Sequence, residues 1–174
     1  HLGKVQVYLQ GKHKASEVRY VTYSGNTYSW YANSSPKAGR YITEIASDGR
    51  RNMFLAKVIM ALYDEGHYVL AVTDRVEHAE DIGTLLGLMG IPKEEIAFIH
   101  EADTDQKKKT LFVRVNFGRV RVLIGSTEKM GAGTNVQRIL GAEHHLDVPW
   151  RPRDVEQREG RILRQGNTNK TVRI

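Results

Sequence analysis

From residue 48 to the end of the chain, short apolar runs alternate with segments whose apolar residues recur at helical spacing. An apolar stripe from Met53 to Tyr63 predicts a helix that ends near Gly66, because glycine commonly follows the last turn of a helix. The continuous apolar run at residues 68–72 then predicts a buried strand of a parallel sheet. Further strands are predicted at 96–99, 120–124, 142–147 and 170–174, and further helices at 77–89, from an Asp103 cap to 117, and at 153–163.

This alternation predicts the fold class. Parallel strands of one sheet are joined by right-handed crossovers through helices, which therefore cover both faces of the sheet. We predict an α/β fold for residues 48–174, a three-layer parallel sheet with helices on both faces. Ligands of such sheets bind beyond the carboxyl ends of the strands, so the functional candidates are the residues that follow strands.

Residues 1–47 differ in composition from the rest of the chain. They hold seven of its fourteen aromatic residues, and their basic side chains outnumber the acidic ones. Polar and apolar residues alternate at 5–9 and 18–23, between turn-forming residues, which predicts short antiparallel strands. We predict a small β-rich appendage whose tyrosines pack within it. The alternative is that these tyrosines and lysines bind a nucleic-acid strand by stacking and charge.

The composition narrows the class of protein. A net charge of +6 and a pI of about 9.5 permit nucleic-acid binding without requiring it. The absence of cysteine excludes disulfides and thiolate metal sites, and no apolar run approaches the roughly 18 residues that span a membrane. We expect a cytoplasmic protein with no membrane partner. Because the chain opens without methionine and closes within an alternating segment, we also expect a fragment of a longer protein.

The strongest functional signal is the run Gln-Arg-Glu-Gly-Arg-Ile-Leu-Arg at residues 157–164. On a helix, Gln157, Arg161 and Arg164 are spaced so that all three lie on one side. Each guanidinium offers a planar fork of donors that fits phosphate oxygens. This pattern favours a polyphosphate site. The alternative is a solvated helix whose arginines pair with acidic neighbours on the same helix.

A second signal follows the strand predicted at 120–124, where residues 125–135 are rich in glycine and hydroxyl side chains. Small residues after a buried strand expose backbone N–H groups, which suit contact with phosphate. The amide of Asn135 suits a ribose hydroxyl. The segment is not a phosphate-binding P-loop, because no Gly-Lys-Ser/Thr follows at the required spacing, and it lacks the third glycine of a dinucleotide fingerprint.

Taken together, these two segments resemble a known family. Residues 157–164 are similar to motif VI, Q-x-x-G-R-x-x-R, and residues 126–136 to motif V, of the C-terminal RecA-like lobe of superfamily 2 helicases and translocases. Residues 69–74 stand where that family has motif IV. The closest branch is the SNF2 type. The amino-acid sequence around both motifs also resembles that of the large helicase–DNA methyltransferase proteins of phages and mobile elements.

The resemblance implies a role for each matching residue. Arg161 and Arg164 would be arginine fingers, and Gln157 would contact the γ-phosphate side or couple it to the opposite lobe. ATP with Mg²⁺ would lie between this lobe and an N-terminal RecA-like lobe that carries the Mg²⁺ ligands, so no metal ligand is expected in this chain. The resemblance further places Gly131, Gly133 and Asn135 near the nucleotide, and Ser126, Thr127, Thr73, Asp74 and Arg75 near the nucleic-acid backbone.

The implied function is that of the C-terminal lobe of an ATP-dependent DNA helicase or translocase, which acts on double-stranded DNA and is inactive in isolation. Two alternatives stay open. The lobe could be a non-catalytic docking module for nucleic acid or protein, although such a module has no need of both arginines. It could also be the motor part of a DNA methyltransferase fusion, although no methyltransferase motif lies in this chain.

Two local patterns suggest metal sites, and we predict that neither is one. Residues 64–67 read Asp-Glu-Gly-His, like a helicase magnesium motif, but they end a predicted helix and precede a strand. His144 and His145 are neighbours on a predicted strand, so their side chains point to opposite faces of the sheet. No third ligand stands at a useful spacing from them.

Overall fold

The computed structural model describes residues 5–8, 15–19, 21, 23, 38–99, 103–126, 136–147, 149, 151–163 and 166–174. In chain order, their helices and strands are β1 (Val5–Tyr8), β2 (Ala15–Arg19), α1 (Ala38–Ala46), α2 (Gly49–Asp64), β3 (Val69–Val72), α3 (Val76–Leu88), β4 (Ile96–Ile99), α4 (Asp105–Asn116), β5 (Val122–Gly125), β6 (Ala142–His145), α5 (Pro152–Ile162) and β7 (Thr171–Arg173). Short 3-10 turns at Lys93–Glu95 and Val136–Arg138 precede β4 and β6.

The seven strands of the described residues form one sheet, in the order β1-β2-β7-β6-β3-β5-β4. All strands except β1 run parallel to one another, and β1 pairs antiparallel with β2 at one edge of the sheet. Strand β3 lies inside the sheet, hydrogen-bonded to β5 on one side and to β6 on the other. Helices pack on both faces of this sheet. The predicted three-layer parallel α/β fold is therefore confirmed.

Alternate residues of β3 point to opposite faces of the sheet and divide the core into two layers. Val69 and Ala71 pack with α2 and α3, whereas Leu70 and Val72 pack with α4 and α5. All four side chains are buried, as the continuous apolar run predicts. Buried residues that the helices contribute include Ile59 of α2, Ile82 and Leu86 of α3, Phe112 of α4 and Ile162 of α5.

Two helix ends test the sequence predictions directly. Helix α2 ends at Asp64, and Gly66 adopts a φ of +88°, which glycine tolerates best. Residues 64–67 are therefore a helix terminus, as predicted. The predicted cap of α4 at Asp103 is wrong. Thr104 is the N-cap, and its hydroxyl accepts a hydrogen bond from the backbone N–H of Lys107 at 3.3 Å.

The described parts of residues 1–47 include two antiparallel strands, of which β1 lies within the run predicted at 5–9, whereas β2 includes only the first two residues of the run predicted at 18–23. They continue the main sheet, because the backbone N–H of Arg19 donates to Ile174 and that of Ile174 donates to Glu17. The segment also supplies the helix α1, which the prediction of a β-rich segment lacked. The amide of Asn52 donates to the backbone oxygen of Ala46 at the end of α1, at 2.7 Å. The domain boundary at residue 47 stays a prediction.

Ion pairs join β2 to the rest of the sheet. Glu17 pairs with Arg19 at 2.8 Å and with Arg173 of β7 at 3.4 Å, and Arg173 also pairs with Glu65 after α2. The hydrogen bond and charge of Arg19 hold the pKa of Glu17 below its ordinary value, and the charge of Arg173 adds to this. No helix within the described ranges has the length and apolar character that a membrane span needs.

Candidate functional site

The candidate residues that follow strands gather at one edge of the sheet. Thr73 follows β3, Ser126 follows β5 and Asp147 lies two residues beyond β6. Because these three strands are neighbours and run parallel, their carboxyl ends meet at the same edge. Helix α5 begins a few residues beyond Asp147 and runs back from this edge. The edge therefore brings together residues that the sequence separates widely.

Arg158 of α5 is the centre of this group. Its side chain is only 8% exposed. One terminal nitrogen, Nη1, donates to both the backbone oxygen and the Oδ1 of Asp147 at 3.0 Å, and Nη2 donates to Oδ2 of Asp74 at 2.6 Å. A buried guanidinium must be paired to offset its lost hydration. Two carboxylates and one carbonyl meet that need here.

Arg158 was not among the predicted site residues, because those lie on the side of the helix that carries Gln157 and Arg161. A signal was nevertheless present. Arg158 is spaced at i+3 from Val155 and i−4 from Ile162, so it lies on the apolar side of α5, where Ile162 is fully buried. An arginine within an apolar stripe requires charged partners from elsewhere in the fold.

Asp147 also connects Arg158 to the end of β3 through a hydrogen bond. Its Oδ2 accepts a hydrogen bond from the hydroxyl of Thr73 at 2.6 Å, and that hydroxyl in turn accepts one from the backbone N–H of Arg75 at 3.2 Å. Thr73 is 1% exposed. The hydroxyl predicted to contact nucleic acid therefore points into the protein and holds Asp147. We name Arg158, Asp147, Asp74 and Thr73 the α5 anchor.

A buried histidine lies behind the α5 anchor. Nε2 of His78 lies 3.0 Å from Oδ1 of Asn52, and Nδ1 lies 3.4 Å from the hydroxyl of Thr73. Burial lowers the pKa of His78 to about 4, with a smaller effect of the same sign from Arg51. The ring is therefore neutral at neutral pH. Because Nδ2 of Asn52 donates to the backbone of α1, its Oδ1 is left to accept from Nε2–H.

The other residues predicted to contact nucleic acid differ in exposure. The Asp74 side chain is 57% exposed, and Arg75 is half-buried with its Nη1 donating to the hydroxyl of Thr43 at 3.0 Å. Ser126 is only 6% exposed. Next to Arg75 is a cavity of about 300 Å³ between α1 and the first turn of α3. Its lining includes Thr43, Ser47, Arg75, Glu77, His78 and Asp81.

Two of the three predicted catalytic residues are described. Gln157 is exposed and Arg161 half-buried, one turn apart on α5. Gly160, between them, has open space where a Cβ would stand, so this part of the helix leaves room for a close approach. The remaining predicted site residues, Arg164, Thr127, Gly131, Gly133 and Asn135, lie outside the described residues.

Comparison with known families decides what kind of domain this edge belongs to. Residues 50–166 match the model of the family described as helicase conserved C-terminal domain. The chain belongs to this family. The match covers both segments that carried the motif resemblance, and it extends from α2 through the whole α5 anchor. No curated protein matches the sequence.

Solved structures share the fold of this helicase C-terminal domain. They include T4 UvsW (TM-score 0.65, 16% identity, 79% of this chain and 27% of that one) and the C-terminal part of the Fun30 ATPase domain (0.54, 18%, 65% and 36%). A third is the RNA-helicase Prp28 from Chaetomium thermophilum bound to ADP (0.55, 14%, 71% and 29%). The chain thus spans about a third of the length of these three proteins.

The helicase C-terminal domain also holds a cluster of titratable groups that sequence reasoning missed. Glu143 of β6 is fully buried, and Nε2 of His145 lies 3.4 Å from its Oε1 and 3.8 Å from Oε1 of Glu159 on α5. Burial, and then the charge of Glu159, raise the pKa of Glu143 to about 8, against the opposing charges of Arg158 and Arg161. Burial lowers the pKa of His145 to about 4.

At neutral pH, Glu143 is therefore mostly protonated and His145 is neutral. Their contact joins two uncharged groups and is not an ion pair, although the distance would allow one. Among the described residues, no group of three or more histidine, aspartate or glutamate side chains is arranged to hold a metal ion. The cluster is a feature of the buried side of α5, behind the helix face that carries Gln157.

Proposed function

We propose that this chain is the C-terminal lobe of an ATP-dependent DNA helicase or translocase, in which Arg161 and Arg164 act as arginine fingers. ATP with Mg²⁺ would bind between this lobe and an N-terminal RecA-like lobe that supplies the Mg²⁺ ligands. The observation that carries the proposal is the α5 anchor, which fixes the arginine-bearing helix at the ligand-binding edge of the sheet. An arginine delivered from a fixed helix stabilises the charge of a phosphoryl-transfer transition state.

Family membership supports the remaining roles. Gln157 would contact the γ-phosphate side, and Gly131, Gly133 and Asn135 would lie near the nucleotide. One protein with this fold, Prp28, is bound to ADP, which supports nucleotide use by this lobe. The nucleic-acid backbone would be contacted by Arg75 and Asp74, which have exposed surface, by Thr127, and by the backbone groups around Ser126 and Thr73, whose side chains are buried.

The substrate that we propose is double-stranded DNA. The resemblance of the two motifs to the SNF2 type supports this choice. RNA is the competing substrate, because Prp28 is an RNA-helicase. The wording around both motifs also supports a cytoplasmic parent protein of a phage or mobile element that carries a DNA methyltransferase domain. An assay of methyl transfer by that parent tests this point.

The decisive measurement is ATP hydrolysis by the full-length parent protein, with and without double-stranded DNA. We expect DNA-stimulated turnover that falls by about 10³-fold in Arg161→Ala, because the transition state loses a guanidinium. Arg153→Ala, an exposed arginine on the first turn of the same helix, is the matched control and should retain turnover. Replacing the DNA by RNA of the same length identifies the preferred nucleic acid.

Two outcomes would contradict the proposal. Turnover that ignores Arg161→Ala would mean that this arginine does not contact the reacting phosphate. Absence of turnover in a folded parent that still binds DNA would favour the docking module instead. The isolated lobe is expected to hydrolyse ATP negligibly, since the Mg²⁺ ligands lie on the other lobe.

A further inference from the structure

We propose that Arg158 is the positioning residue for Arg161. It locks α5 against the ends of β3 and β6 and so fixes where the Arg161 guanidinium is delivered. This inference rests on the proposed function, in which Arg161 acts on ATP. It assigns Arg158 no contact with the nucleotide, because its guanidinium is directed into the protein and occupied there.

The geometry supports a locking role because Arg158 bridges three parts of the fold. Its acceptors are Asp147, after β6, and Asp74, which lies 84 positions away after β3. One guanidinium therefore sets the distance between two loops and a helix. A planar fork with several donors can hold such a bridge, whereas an ammonium group at the end of a flexible chain cannot reproduce its geometry.

Asp147 and its neighbour Leu146 make further hydrogen bonds that connect Arg158 to the sheet. Both oxygens of the Asp147 carboxylate are hydrogen-bonded, since Oδ1 accepts from Arg158 and Oδ2 from Thr73. The backbone oxygen of Leu146, next to it, accepts from Nη2 of Arg51 at 2.6 Å. The turn after β6 is therefore fixed by three elements, α2, β3 and α5. A rotation of α5 would break several of these bonds at once.

The position of Arg161 follows from the helix itself. Arg161 is three residues beyond Arg158, which is a rise of about 4.5 Å along an α-helix. A tilt of α5 about its anchor therefore displaces Arg161 relative to the bound phosphates. Misplacement of a reacting or stabilising group by about 1 Å can lower the rate by about 10²-fold. Arg158 thus governs the rate of the chemical step through Arg161.

The test is Arg158→Lys in the full-length parent, with ATP hydrolysis measured at saturating DNA. We expect kcat to fall by about 10²-fold while KM for ATP stays within about threefold, because the interaction weakened is one made in the transition state. Arg153→Lys makes the same replacement at an exposed position of α5 and should change neither constant. A fall in kcat/KM that comes from KM alone would overturn the inference.

A double-mutant cycle separates positioning from general damage. If Arg158 acts through Arg161, Arg158→Lys should lower kcat by less than about twofold in an Arg161→Ala background, because residues that act as a unit are non-additive. A full additional loss of kcat in that background would show an independent structural role and overturn the inference. The proposed function is judged separately, by whether Arg161→Ala alone lowers kcat.

Asp147→Asn repeats the test with little change of volume. The amide keeps a hydrogen bond to Arg158 and removes the charge that pairs with it. We expect the same pattern, a lower kcat in the parent and no further loss in the Arg161→Ala background. Should Arg158→Lys fail to fold, as judged by circular dichroism and thermal melting, Asp147→Asn decides the question by the same two outcomes.

Discussion

At the scale of single residues, buried titratable side chains give this domain two opposed responses to pH. The pKa of Glu143 is raised from its ordinary value of 4.5 to about 8. Between these two pH values, the folded protein therefore keeps a proton on Glu143 that the unfolded chain has released. Its contribution to stability is complete below pH 4.5 and is lost as pH rises through 8. Burial lowers the pKa values of His78, His144 and His145 from 6.5 to about 4.

These histidines contribute stability that is present above pH 6.5 and is lost as pH falls through about 4. Between about pH 7.5 and about pH 8.5, the histidines are neutral in both states and the release of the Glu143 proton dominates. The free energy of unfolding should therefore fall across this window, by at most about 1.4 kcal/mol per pH unit for one proton. In Glu143→Gln the fall should disappear, because an amide has no proton to release.

Urea unfolding at about pH 7.5 and at about pH 8.5 measures this difference. Glu80→Gln is the matched control, because Glu80 is an exposed carboxylate on α3 and receives the same chemical replacement. The control should keep the pH dependence of the original protein. An equal slope in the original protein and in Glu143→Gln would show that Glu143 does not carry the proton.

At the scale of single elements, the contact between α3 and the edge strand β4 depends on the absence of a side chain. A Cβ at Gly83 would lie 2.3 Å from the Cζ of Phe98 on β4. On the same helix, Gly87 has nothing within 4 Å of the corresponding point. The two glycines therefore separate the effect of close packing from that of helix propensity.

We expect Gly83→Ala to lower the free energy of unfolding by about 1–3 kcal/mol, because the ring of Phe98 or the whole helix must move away. Gly87→Ala should raise it by about 0.5–1 kcal/mol, since alanine loses less backbone entropy in a helix. Urea unfolding of both variants gives the comparison. Equal changes in the two would mean that α3 and β4 do not pack at Gly83 as described.

Elements were predictable where a local pattern determines them. The apolar runs at β3 and β4 and the stripe of α2 gave these elements within about one to four residues at each end. The strand predicted at 142–147 instead ends at His145, because Asp147 turns toward Arg158. The helix α1 was missed, and its end is held by Asn52, a partner on another element.

The candidate site follows the same rule. Gln157 and Arg161 were chosen as candidates because helical spacing is visible in the sequence, and their roles stay predictions. Arg158 was not predicted, because its importance comes from its contacts with Asp74 and Asp147. The sequence does not show that Asp74 and Arg158, which are far apart along the chain, are in contact. The contact of Thr73 with nucleic acid stays a prediction, and only the structure shows that its hydroxyl donates to Asp147.

At the scale of the whole molecule, β1 and β2 continue the sheet beyond β7. Among the described residues, β7 lies between β2 and β6. It pairs with β2 over three residues and with β6 at a single register position. Without β2, the backbone N–H and carbonyl groups of β7 would form an open edge. Such edges destabilise the strand and invite pairing with another chain.

We therefore expect removal of residues 1–20 to lower the melting temperature and to cause self-association that increases with protein concentration. Differential scanning calorimetry and analytical ultracentrifugation measure the two effects. Glu17→Gln in the intact chain is a milder companion, since it weakens the ion pairs with Arg19 and Arg173 but keeps the strand. An unchanged melting temperature after the deletion would support a separate appendage at residues 1–47.

The position of β3 between β5 and β6 also has a consequence for how the protein is made. Its two hydrogen-bonded neighbours are residues 122–125 and 142–145, both of which follow it in the chain. At roughly 5–20 residues per second, a ribosome leaves this apolar strand without either neighbour for several seconds. The chain is then open to aggregation and to capture by chaperones. The helix that carries Arg161 leaves the ribosome only after both neighbours of β3, so the arginine is positioned late in the assembly of the molecule.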